Sequence, residues 1–131
     1  MSKPRLSAFV SSAVASLLGA SLLLGAACSK AGMGAEVRSD VTGRMEAAQP
    51  DFTNCYAEAL KRSRKINGML VLSITAAAET GEFKNITVSR DELRDAEMKT
   101  CVIEEVSKLK LEKPQKTNVT FSYPLRFSPT K

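Results

Sequence analysis

Met69-Leu70-Val71-Leu72-Ser73-Ile74-Thr75-Ala76 alternates along its length. Leu70, Leu72, Ile74 and Ala76 fall on one side, and Met69, Val71, Ser73 and Thr75 on the other. A period of two marks a strand with one buried face, and the first set is the expected core face. Asn67-Gly68 ends whatever precedes it. Ala78-Glu79-Thr80-Gly81-Glu82 then turns the chain, with Gly81 free to take positive φ. Phe83 to Ser89 reads as the returning strand, carrying Ile86 and Val88 inward. The centre of the sequence is therefore a hairpin.

On its N-terminal side, Phe52, Cys55, Tyr56, Ala59 and Leu60 recur at the spacing of one helical face. Pro50-Asp51 suits the entrance of that helix, with Asp51 as the cap, and Lys61 to Lys65 complement its carbonyl end. On the C-terminal side, Asp91, Glu92 and Asp95 crowd the expected start of a second helix. Its stripe uses Leu93, Met98, Cys101, Val102, Val106 and Leu109, and Pro114 bars continuation. Val119, Phe121, Tyr123, Leu125 and Phe127 alternate as a last strand, which Pro124 assigns to a sheet edge. The order α-β-β-α-β predicts an α+β domain over residues 51–131. Two helices pack on one face of a three-stranded sheet. A right-handed split crossover lays the third strand beside the first and parallel to the second.

The N-terminal end reads as an address. Lys3 and Arg5 precede an uncharged run from Leu6 to Cys28, closed by the small residues Gly25-Ala26-Ala27. Residues 1–27 have the build of an export signal. Leu24-Gly25-Ala26-Ala27-Cys28 resembles the lipobox of bacterial lipoproteins, with Gly25 where leucine is usual. That resemblance implies cleavage before Cys28 and acyl chains on its sulfur, enough for stable membrane attachment when two or more are present. An ordinary cleaved signal and an uncleaved anchor are the alternatives. Residues 28–50 read as the lipidated N-terminus and a flexible tether. Val37, Val41 and Met45 recur at helical spacing there, but Gly43 argues against a sturdy helix.

Composition narrows the function classes. The chain has 131 residues, Lys+Arg 19 against Asp+Glu 14, and no His. Without histidine there is no Ser-His or Cys-His nucleophile pair and no imidazole for zinc. Removing Lys3 and Arg5 takes the net charge from +5 to about +3, too mild and mixed for a nucleic-acid surface. No acid, base and nucleophile converge, so the expectation is no enzyme, no cofactor, no metal and no small-molecule substrate. Lys108, Lys110, Lys113 and Lys116 read as a solvated helix end, with anionic headgroups as the sharper alternative. Cys55 and Cys101 lie on the two apolar stripes and are expected to pair in an oxidising compartment. Two buried free thiols are the alternative.

From Phe52 to Phe127 the chain resembles the TonB C-terminal fold, in the variant of the AgmX/PglI C-terminal domain of gliding-motility proteins. The carrying residues are Cys55-Tyr56-x-x-Ala59-Leu60, Gly68-x-Leu70-x-Leu72-x-Ile74, Gly81-x-Phe83-x-x-Ile86-x-Val88, Cys101-Val102 and Val119-x-Phe121-x-Tyr123-Pro124-Leu125-x-Phe127. Leu111-Glu112 stand where the family has an aromatic followed by proline. The resemblance implies a non-catalytic module that binds an extended partner segment at a sheet edge. The candidate edge is Val119, Thr120, Phe121, Ser122, Tyr123, Leu125 and Phe127, and the alternative is an ordinary protected edge, blunted by Pro124 and Arg126. The expected setting is the cell envelope, facing the periplasm on acyl chains at Cys28, with an envelope protein as partner. Ser29 after the cysteine favours the outer membrane. The alternative function is a structural subunit of an envelope, gliding-motility or transport assembly.

Overall fold

The computed structural model describes residues 33–130; the signal segment, Cys28 and Lys131 lie outside the described residues. The hairpin is strands β1 (Gly68–Ala76) and β2 (Phe83–Asp91), and the last strand is β3 (Val119–Phe127). Three helices accompany them: α1 (Ala35–Ala47), α2 (Gln49–Arg62) and α3 (Ala96–Ser107). The sheet order is β2-β1-β3, with both pairings antiparallel. β3 therefore lies beside β1 and runs parallel to β2, as the α+β reading expects. Leu70, Leu72, Ile74 and Ala76 are buried, and their neighbours Met69, Val71, Ser73 and Thr75 are half-buried. A single apolar cluster joins that face of β1 to buried residues of all three helices.

Strand β2 keeps its apolar side chains inward only by breaking its own period. Phe83, Ile86 and Val88 cannot share a face in a regular strand, because 83 and 86 differ by an odd number. Register shifts opposite Ser73–Thr75 and Val71–Leu72 remove the conflict. Asn85 takes φ 51° at the first, a left-handed conformation that asparagine tolerates. The turn before it depends on Gly81 at φ 73°, where an added Cβ would lie 3.0 Å from that of Leu111.

Three expectations are corrected. The stretch read as flexible tether, 28–50, contains α1 from Ala35 onward, so the described residues hold three helices rather than two. Val37, Val41 and Met45 are buried, Met45 completely, and these tertiary contacts outweigh the propensity cost of Gly43. The folded unit thus begins before residue 51. At the entrance to α2, Ala48 rather than Asp51 is the cap residue, and no side chain caps that end. At α3, only Asp95 caps, its side chain accepting from the Met98 amide. Asp91 ends β2, and Glu92 and Leu93 lie in the turn before the helix.

Candidate functional site

The candidate edge strand pairs with β1 through nine consecutive positions without a register shift, from Gly68↔Phe127 to Ala76↔Val119. Which of its backbone groups face outward follows from the other side of β1. The Met69 N–H donates to Glu92 Oε2 at 2.8 Å, and the Met69 carbonyl accepts from the Glu92 amide at 3.0 Å. Met69 therefore directs its backbone toward β2. Backbone direction alternates along a strand, so Leu70, Leu72 and Ile74 point toward β3. Their partners Leu125, Tyr123 and Phe121 point back. That leaves Thr120, Ser122, Pro124 and Arg126 facing away from the sheet, with three N–H donors and four carbonyls. Pro124 falls where its missing N–H costs the β1 ladder nothing.

The opposite edge is built differently. The Phe83 amide donates outward to the Leu109 carbonyl at 3.1 Å, and the Leu111 amide donates to the Gly81 carbonyl at 2.9 Å. An isolated bridge between Glu82 and Lys110 covers the start of β2, and its two irregularities deform the rest. Coverage and bulges both blunt an edge. Among the described residues, β3 has neither.

The predicted edge residues divide into two groups. Phe121, Leu125 and Phe127 are buried at 5%, 4% and 7% exposure, so their side chains serve the core rather than a ligand. Phe127 lies 5.4 Å from the Tyr56 ring, and Phe121 lies 5.4 Å from that of Phe83. Val119 and Tyr123 are half-buried, while Thr120 and Ser122 are exposed. Arg126 was absent from the expected set. The signal for it was the alternation itself: the outward backbone groups belong to the even-numbered residues of this strand. Burial raises the pKa of the Tyr123 hydroxyl, and Glu46 of α1 adds to the effect.

Cys55 and Cys101 form a disulfide between α2 and α3, with Cα atoms 5.8 Å apart. Nearby, the Arg62 guanidinium joins the same two elements, reaching Asp95 at 2.6 Å and Glu97 at 3.0 Å. The expected lysine run is partly absorbed into structure. Lys108 pairs with Glu105, and Lys113 pairs with Glu36 of α1, both at 2.8 Å. Among the described residues, no three His, Cys, Asp or Glu side chains group as metal ligands, and no helix is long and apolar enough to cross a membrane.

No family model matches the chain, and no curated protein matches it either. Among solved structures, the chain is similar to the solution structure of the Helicobacter pylori TonB C-terminal domain. The identity is 18% and the TM-score 0.43, over 76% of this chain and 97% of that one.

Proposed function

We propose that this chain is a non-catalytic protein-binding module of the bacterial cell envelope, held by acyl chains on Cys28 and facing the periplasm. It binds an extended segment of an envelope protein by strand addition along the outer side of β3. The observation that carries this reading is the contrast between the two edges. The β3 edge runs nine residues in register with outward donors and acceptors, whereas the β2 edge is covered and bulged. Backbone hydrogen bonds supply the affinity in this mode, and exposed side chains such as Thr120 and Ser122 supply selectivity.

Thr120→Pro is the discriminating variant. It removes an outward N–H while leaving the inward ladder to β1, at the cost of the Thr75–Thr120 hydroxyl contact. Pulldown from envelope extract with the full chain in detergent should recover less partner with Thr120→Pro than with wild type, at a comparable melting temperature. Undiminished recovery, together with a native complex far above the mass of the chain, would assign the protein to the structural-subunit reading instead. Intact-mass spectrometry of the native chain tests the anchor separately, through acyl mass on an N-terminal Cys28.

A further inference from the structure

The two ends of the domain differ in how their charges are used. At the end where α2 and β3 finish, a hollow of about 550 Å³ is lined by Ser63, Lys65, Asn67 and the turn from Asp91 to Asp95. The three carboxylates in this lining are all engaged. Asp91 pairs with Lys99 and accepts from the Leu93 and Arg94 amides. Glu92 holds Arg90 and the Met69 amide, and Asp95 holds Arg62 and the Met98 amide. Lys65 and Arg94 line the same hollow, are exposed, and have no ion pair among the described residues.

A second hollow adjoins this end, lined by Ala57, Leu60, Lys61, Arg64, Pro129 and Thr130. Arg64 is exposed there, and Arg126, which lines neither hollow, is exposed opposite Met69 near Glu92; neither has an ion pair among the described residues. Four cations without an ion pair among the described residues thus gather at one end, beside carboxylates that are already bound. The described carboxylates without an ion pair, Glu46, Asp51, Glu79 and Glu104, line neither hollow. The start of α1 lies at the other end. Lys113 pairs with Glu36 in the first turn of α1, and the loop carrying it meets the hairpin turn, where the Glu79 amide donates to the Gln115 carbonyl.

We infer that this cationic end, with Arg64, Lys65, Arg94 and Arg126, is a docking surface for an acidic peptide segment of a partner protein. The inference rests on the protein-binding reading above and adds the chemistry of the partner. Charge complementarity selects an anion, because the local acids are saturated and the cations are not. Placement selects a peptide over a lipid surface, because α1, the described element that follows the proposed anchor, begins at the opposite end. Exposed charges of this kind steer and select more than they bind, so the interaction is salt-sensitive.

The test uses the full chain in detergent and a fluorescent hexaglutamate peptide at low ionic strength. One variant carries Arg64→Ser with Arg126→Ser, and a second carries Lys110→Ser with Lys116→Ser. Both lose the same net charge from exposed residues without ion pairs, so any difference reports location. Hexaglutamate affinity should fall about tenfold in the first variant and stay near wild type in the second. Equal weakening in both would overturn the assignment in favour of diffuse charge. Loss by the first variant of a preference for phosphatidylglycerol over phosphatidylcholine vesicles would overturn it in favour of a lipid surface. Thr120→Pro should bind hexaglutamate like wild type, so the cationic end and the β3 edge are able to fail independently.

Discussion

Asp95 does two jobs with one carboxylate. Its Oδ1 accepts from the Met98 amide at the start of α3, and both of its oxygens meet the Arg62 guanidinium at the end of α2. The Arg62 guanidinium holds the Asp95 carboxyl below its ordinary pKa, and the Met98 amide contributes in the same direction. A depressed folded-state pKa adds stability that is present above the unfolded value, near 3.9, and is lost as pH falls through the folded one. Asp95→Ala removes the cap and the ion pair together and should destabilise by about 1 kcal/mol or somewhat more at neutral pH. Asp95→Asn keeps an acceptor for Met98, so it should cost less and flatten the loss of stability below pH 4. Urea titrations of the two variants at pH 7 and pH 3 would check both statements. A wild-type loss on acidification that Asp95→Asn leaves unchanged would assign the pH dependence to other carboxylates.

At the scale of elements, α1 shows where local preference and tertiary contact part company. Beyond its own turn of helix, Gly43 has no atom within 4 Å of where a Cβ would sit, so its cost to the helix is conformational. Gly43→Ala should therefore stabilise the chain by about 1 kcal/mol, read as a higher urea midpoint at unchanged m-value. The 3.6-residue rhythm of Val37, Val41 and Met45 was legible in the sequence. What they bury against was not, because that surface is assembled from distant parts of the chain. Arg44 meets Glu112 at 2.8 Å and the Lys113 amide donates to Asp40, contacts no local pattern announces. The β2 bulges were hidden for a related reason, since only pairing with β1 reveals that Asn85 is an extra residue. By contrast, the strand alternation around Leu70 and the helical stripe around Cys55 are periodicities within single elements and were readable directly. The disulfide depends on both helices at once, yet two cysteines on facing stripes left few arrangements open. With a sequence separation of 46 between Cys55 and Cys101, chain-entropy arguments put its contribution at up to roughly 4 kcal/mol. Reduction should lower the urea midpoint markedly, and a Cys55→Ala, Cys101→Ala chain should melt with the reduced protein. A midpoint indifferent to reductant would show that the bond adds nothing to stability.

For the whole molecule, α1 changes the geometry that the proposed attachment would have. A tether running to residue 50 would let the domain tumble freely above a membrane. With α1 beginning at Ala35, six residues, 29–34, separate Cys28 from the first described helix, and six residues reach at most about 21 Å when fully extended. The Glu36–Lys113 ion pair places the start of α1 at the loop beside the hairpin turn. From there the nine-residue strand β3 runs to Phe127, roughly 30 Å away. On the proposed acyl anchor, the hairpin end therefore faces the lipid, while the cationic end and the finish of β3 face outward. A donor fluorophore at Ser39 should transfer efficiently to an acceptor on lipid headgroups, and the same donor at Ser128 should transfer several-fold less. The contrast is measurable because transfer falls steeply over distances of this size, and both positions are exposed. Equal transfer from the two sites would mean that the short link leaves the domain free to roll onto either end. In that event the β3 edge would meet headgroups as often as partners, and strand addition would need a partner already bound at the membrane.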